Sequence, residues 1–264
     1  MLRPMPLPGT IVSSTALNVR RHRIDSAALP IRVKTLACLP PQHRQSREIR
    51  VRPPHRNTSD FMIKAPPAAA GQRIGLMGGS FNPPHDGHLA VARTALKRLR
   101  LNRIWWLVSP GNPLKANDGL PALSERIAAC RTLARNDARI HVTGLEAELG
   151  SVYTAHTLAF LVRRFPDVHF VWVMGADNLA SFHDWKRWRD IASAVPIAVI
   201  DRPGWHLAAM NAPVARALAR NRIPENRAAA LPFATPPAWT FLPTRLSPQS
   251  STALRLAKAA QSGI

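Results

Sequence analysis

Cysteine is scarce: only Cys38 and Cys130 occur in 264 residues. They stand far apart, in segments of different character, so neither a disulfide framework nor a zinc-ligand spacing follows. A reducing, cytoplasmic setting is the default expectation. Acidic residues are also few, 15 Asp+Glu against 36 Lys+Arg, giving a net charge of +21. That surplus favours anionic partners such as nucleotides, nucleic acid or a membrane surface, without choosing among them. An Arg-rich genome accounts for it equally well. Long apolar runs are missing: nothing approaches the roughly 20 residues that cross a bilayer, so a soluble protein with no membrane part is expected. No repeat of solenoid period appears, and no Ser-His-Asp or paired-carboxylate constellation stands out.

Hydrophobic residues make up 46% of the chain, enough for a sizeable core. They are unevenly placed. Residues 1 to about 70 are basic and Pro-rich, as in LPPQHRQ and VRPPHRN, and hold no periodicity beyond a few residues. Little apolar surface is present there to repay ordering. A disordered extension over 1–70 is therefore expected, followed by one domain over 71–264. TIVSSTALNV alone carries a strand or short-helix pattern. The extension is Arg-rich and acid-poor, as transit peptides are, and lacks the apolar region of a secretory signal. Met62, just before the first strand, supports a plainer reading: translation begins there, or the tail is inert. Mass spectrometry of the native N-terminus decides between these.

From Arg73 strands and helices alternate. Strands are expected at 73–79, 103–110, 139–146, 168–175, 196–202 and 238–243, and helices at 87–101, 124–136 (with Ser124 as N-cap), 154–165, 206–221 and 250–261. VHFVWVMG is a continuous apolar run, as in a strand covered on both faces. Alternation of this kind implies an α/β fold with a parallel sheet and helices on both faces, and ligands bind such sheets beyond the carboxyl ends of their strands.

Gly78 and Gly79 follow the first strand directly, and the next helix opens near His85 to Gly87. Glycine permits a sharp turn and close approach of a ligand, and a helix N-terminus beside such a turn is an anion site. His85 and His88, at i and i+3, share one side of the first helical turn. Three readings stand side by side: metal ligands, structural caps, or donors of hydrogen bonds to phosphate oxygens. Gly87 between them would let a phosphate rest against the backbone. Near the other end, SPQSSTALR places Ser250, Ser251 and Thr252 before an apolar helical run, with Arg255 one turn in. Hydroxyls, free N–H groups and a planar guanidinium fork would then converge on one point, as phosphate binding requires and as plain capping also explains.

GGSFNPPHDGHL resembles the signature of the nucleotidyltransferases related to class I tRNA synthetases, Gly-Gly-Ser/Thr-Phe-Asp/Asn-Pro-x-His-x-Gly-His, and SSTALR resembles the Ser-Ser-Thr-x-Leu/Ile-Arg motif that ends the same family. Between them, LVSPGNPLK is similar to the family loop ending in Pro-Pro-His-Lys, with Leu114 replacing the His and Lys115 retained. VYTAHTL resembles the Tyr-Thr-x-Asp-Thr-Leu segment of nicotinate-mononucleotide adenylyltransferases, with His156 in place of Asp and with Tyr153, Thr154 and Thr157 matching. GADNLASFHDWKRW resembles that enzyme's Gly-x-Asp-x-Leu…Trp block, carrying Asp177, Trp185 and Trp188 on a short helix, and DRPG brings Arg202. The resemblance spans about residues 73–257.

The resemblance implies a Rossmann-like α/β sheet that adenylates nicotinate mononucleotide from ATP, giving nicotinate adenine dinucleotide and pyrophosphate in NAD biosynthesis. It implies catalytic His85, His88, Lys115 and Arg255. ATP would be bound by Gly78, Gly79, Ser80, Phe81, Gly87, Ser250, Ser251 and Thr252, and the mononucleotide by Tyr153, Thr154, Asp177, Trp185 and Arg202. Mg²⁺ would accompany ATP, with no residue named as a metal ligand. Partners would be the two small substrates, and a homo-oligomer stays open. Another acceptor, nicotinamide mononucleotide or phosphopantetheine, is the nearest alternative, and a non-enzymatic nucleic-acid binder is the alternative of a different class.

Overall fold

The computed structural model describes residues 63–111 and 119–244. Six strands form one parallel sheet: β1 (Arg73–Gly79), β2 (Arg103–Val108), β3 (Ile140–Thr143), β4 (His169–Gly175), β5 (Ile197–Ile200) and β6 (Trp239–Leu242), in the order β3-β2-β1-β4-β5-β6. Alternate residues of each central strand enter opposite cores. Ile74, Leu76, Trp105, Leu107, Phe170, Trp172, Ile197 and Val199 face one side, while Met77, Ile104, Trp106, Val171, Val173 and Ala198 face the other. This is why these strands read as unbroken apolar runs: both faces are covered.

Helices α1 (Asp86–Arg98) and α2 (Leu123–Ala134) cover the second side. The first side is covered by α3 (Leu145–Glu148), α4 (Thr154–Arg164), α5 (Ala176–Ala180), α6 (Trp188–Ala194), α7 (His206–Met210) and α8 (Pro213–Ala217). The expected Rossmann-like layering is therefore present, in the strand order that places a ligand crevice between β1 and β4, where the order reverses.

Several expected elements differ in detail. The strand expected over 139–146 stops at Thr143, because Gly144 turns the chain and Leu145–Glu148 closes a single helical turn. Ser124 is not the N-cap of α2: the chain enters the helix earlier, at Ala122, which makes no side-chain cap bond. The helix expected over 206–221 breaks into α7, α8 and a 3-10 turn at Ala219–Asn221. Pro213, lacking an N–H, can only open a new helix there. Trp185 and Trp188 do not share a helix, since Arg187 lies between them at φ 59° and only Trp188 belongs to α6. A long 3-10 stretch at Glu225–Phe233 had no sequence pattern to announce it. The helix expected over 250–261 lies outside the described residues.

Candidate active site

At the carboxyl end of β1 the chain turns through Gly78, Gly79, Ser80 and Phe81 to the mouth of α1. Gly78 is glycine for a packing reason: a Cβ there would stand 2.6 Å from Cη2 of Trp172. Gly79 meets only the Phe81 ring, at an ordinary 3.5 Å. Phe81 itself adopts φ 46°, a left-handed conformation costly for a bulky residue. Its buried ring holds it there, stacked on Trp106 (centroids 5.2 Å) and leaning on His88 (4.8 Å).

His85 is the N-cap of α1, and the two histidines close a reciprocal capping box. The Gly87 N–H donates to His85 Nδ1 (3.1 Å), and the His85 N–H donates to His88 Nδ1 (3.1 Å). Each Nδ1 is thereby committed as an acceptor, so in the neutral ring the proton sits on Nε2. Burial pushes the His88 imidazole down to about 3, with help from His85 and then the Arg202 guanidinium. His85 is lowered by burial and then by Arg202. Both rings are therefore uncharged at neutral pH and present an Nε2–H donor each, their centroids 4.0 Å apart. The capping reading holds in the structure, and capping fixes the tautomer that carries its proton on Nε2.

Across the crevice, Asp177 on α5 and Arg202 beyond β5 form an ion pair, Nη1 to Oδ2 at 2.8 Å. The pair sits over the end of β4, where Gly175 makes room: a Cβ at Gly175 would press on Asp177 Oδ1 and come within 2.8 Å of Arg202 Cδ. Asp177 Oδ1 is buried and has no hydrogen-bond partner among the described residues. A small cleft is lined by Gly87, Ala90, Val91, Asp201, Arg202, Pro203 and Thr244. It joins the mouth of α1 to the segment that leaves β6, and there Thr244 and Thr94 share a hydrogen bond between hydroxyls (3.1 Å).

Tyr153 and Thr154 stand at the start of α4. Lys186 places its ammonium 4.5 Å from the centroid of the Tyr153 ring, a contact that no sequence pattern marked. Trp185, beside it, packs edge-on against Phe182 and Trp172 (centroids 5.3 and 6.2 Å). Trp172 in turn fills the space over Gly78, so the second group of residues abuts the end of β1. His156, where the resemblance has Asp, is exposed on α4, with the Ser151 hydroxyl 3.4 Å from its Nδ1. Lys115, Leu114, Ser250, Ser251, Thr252 and Arg255 lie outside the described residues.

Behind α4, Glu146 is 4% exposed and accepts a hydrogen bond from the Thr157 hydroxyl (3.4 Å). Burial raises its carboxyl to about 7, partly opposed by that hydroxyl. The folded protein thus holds this proton more tightly than the unfolded chain does. Stability is lost as pH rises from about 4.5, the range of an unfolded Glu, through 7. Glu146→Gln removes that penalty, so thermal unfolding should shift upward more at pH 8 than at pH 5.5. An equal shift at both values would contradict the assignment.

The described residues contain no helix long and apolar enough to cross a membrane. The cytidylyltransferase-like family matches residues 76–257. Over 183 residues the chain is 59% identical to a "Probable nicotinate-nucleotide adenylyltransferase" of Methylorubrum extorquens, covering 69% of this chain and 98% of that protein. Over 186 residues it is 55% identical to a protein of the same name from Rhizobium meliloti, covering 70% and 98%. Among solved structures, the fold is similar to that of Plasmodium falciparum nicotinic acid mononucleotide adenylyltransferase complexed with NaAD. The TM-score is 0.54 at 18% identity, over 70% of this chain and 83% of that one.

Proposed function

The chain belongs to the nicotinate-nucleotide adenylyltransferases, within the cytidylyltransferase-like family, and from that membership we propose that it joins ATP and nicotinate mononucleotide into nicotinate adenine dinucleotide and pyrophosphate. A phosphate oxygen of the mononucleotide attacks the α-phosphorus of ATP. A new P–O bond forms, the bond to the bridging oxygen of the β-phosphate breaks, and its electron pair leaves with pyrophosphate. The nucleophile is already ionised at pH 7, so no general base is needed. The barrier is the approach of one anion to another, which is met by in-line positioning and by donors aimed at developing charge.

The observation that carries this reading is the imidazole pair: two neutral rings with Nε2–H donors fixed at a helix mouth beside a glycine turn. A helix N-terminus and two Nε2–H donors suit phosphate oxygens, and the lowered proton affinity of both rings keeps them neutral at pH 7. His88 would serve the reacting α-phosphate and His85 its neighbours. Arg202, whose charge reaches both rings, would add positive potential. Tyr153, Thr154, Asp177 and Trp185 would hold the mononucleotide. Lys115, Ser250, Ser251, Thr252 and Arg255 would hold the triphosphate from the other side. Thr244 supports that arrangement: it lines the cleft with Gly87 and Arg202. Ser250 follows six residues on, within reach of roughly 20 Å of extended chain.

The residues fit a Mg²⁺ that arrives on the triphosphate better than a resident ion. Among the described residues no three His, Cys, Asp or Glu side chains gather to hold a metal, and Mg²⁺ keeps most of its waters when phosphates bind it. When bound it would neutralise phosphate charge. The buried thiol of Cys130 is at home in the reducing cytoplasm proposed for the enzyme.

Supplying the purified protein with ATP and either nicotinate or nicotinamide mononucleotide, and identifying the product by mass, tests the reading. Nicotinate adenine dinucleotide and pyrophosphate should appear in equal amounts. Failure to form either would remove the proposal, and preferential formation of the amide dinucleotide would change its acceptor.

A further inference from the structure

Arg126, on the first turn of α2, is 3% exposed, and its hydrogen bonds go to main-chain carbonyls. Its Nε donates to Pro121 (3.0 Å), Nη1 to Ser80 (2.8 Å) and Ser109 (2.8 Å), and Nη2 to Pro110 (3.2 Å). Burial lowers its proton affinity, yet a guanidinium stays charged at neutral pH. Burying a charge is costly unless its donors are satisfied, and here four hydrogen bonds join three chain segments. Ser80 lies in the turn after β1, immediately before Phe81 in its strained conformation and on the path to His85. Ser109 and Pro110 begin the segment after β2, which runs on to Lys115. Pro121 leads into α2. The same seam carries a second link, from the Ser109 N–H to the Gly79 carbonyl (2.9 Å).

We propose that Arg126 is a positioning residue for adenylyl transfer: its planar fork holds the turns after β1 and β2 in one register, and through them the imidazole pair. The inference rests on the function proposed above. Lysine in its place keeps the charge but is a point donor on a flexible stem, able to reach one carbonyl at a time. The two turns would then drift by a fraction of an ångström, and misplacement on that scale is enough to cost about tenfold in rate.

The test uses the full chain carrying Arg126→Lys or Arg126→Ala, with thermal unfolding, steady-state kinetics and amide hydrogen exchange measured on each. Folded R126K is expected to lose about tenfold or more in kcat with the KM for the mononucleotide little changed. The amides of Ser80, Phe81, Asn82, His85, Ser109 and Gly111 should exchange faster in both variants, while the centre of the sheet stays as in wild type. Methylguanidinium should restore part of the turnover of R126A, and methylammonium at equal concentration should not. A folded R126K within threefold of wild type, or unchanged exchange in both turns, overturns the proposal. Should R126A fail to fold, R126K carries the decision. Should the wild type form no dinucleotide, the proposed function fails, and the exchange measurement alone still decides whether Arg126 holds the two turns.

Discussion

His88→Ala lowers turnover at least a hundredfold while the protein remains folded. The figure follows from the role: a neutral donor aimed at the oxygen where charge develops in a water-poor site contributes about 2.7–4 kcal/mol, and a hundredfold is about 2.7 kcal/mol. His88 also accepts the His85 N–H through Nδ1, so the alanine variant loses half of the capping box, at a cost of about 1 kcal/mol. His88→Gln separates the two contributions. Glutamine at this helix position can still accept the N-cap N–H, so unfolding should return toward wild type while turnover stays low. A variant of either kind within threefold of wild type refutes the catalytic role. The lowered proton affinity adds a pH signature. With His88 at about 3, its ring stays neutral from pH 5 upward, and the pH profile of kcat should show no limb near 6.5 from this residue. The same depressed pKa acts on stability: this group's contribution is complete above pH 6.5 and is lost as pH falls toward 3.

Gly78→Ala should destabilise the fold by about 2–3 kcal/mol, the cost of overpacking a site that cannot relax. The new methyl would lie 2.6 Å from Cη2 and 3.2 Å from Cζ2 of Trp172. That indole is 1% exposed and is braced on its other side by Trp185. Strand β1 cannot yield either, because it is paired on both sides, with β2 and β4. For a domain of this size the loss should lower the unfolding midpoint by roughly 5–10 °C, measured by calorimetry. A change of less than 2 °C would mean that Trp172 is freer than its packing indicates. Gly79→Ala, where the nearest atom is an ordinary 3.5 Å away, serves as the control for a change of backbone freedom alone.

The sheet and its crevice were legible in the sequence because strand pattern is a local property. Runs such as FVWVM within β4, apolar at every position, report burial on both faces, and Gly78-Gly79 before a histidine-bearing helix reports a sharp turn into a helix N-terminus. The histidine spacing also reported a shared face. What it could not report was direction: only the backbone geometry shows that both Nδ1 atoms face backbone N–H groups, which leaves the ring protons on Nε2. Arg126 was illegible for a different reason. In a chain with 36 Lys+Arg, one arginine on an amphipathic helix looks like surface charge, and its four carbonyl partners are brought together from three separate segments. Gly175 reads as an ordinary strand end until the Asp177–Arg202 pair is seen lying over it. The broken helix after β5 could have been anticipated from Pro213, whose missing N–H forbids a continuous run. The pairing of Tyr153 with Lys186 depends on the meeting of two loops, which residue spacing does not encode.

The role proposed for His88 and Arg255, from opposite ends of the domain's sequence, is to grip one triphosphate. A crystal structure with α,β-methylene-ATP tests it most directly. Phosphate oxygens should lie within hydrogen-bond distance of His88 Nε2 and of the Arg255 guanidinium in the same molecule. Phosphates bound away from the mouth of α1, or an Arg255 side chain more than about 10 Å from them, beyond the reach of any direct contact, would contradict it.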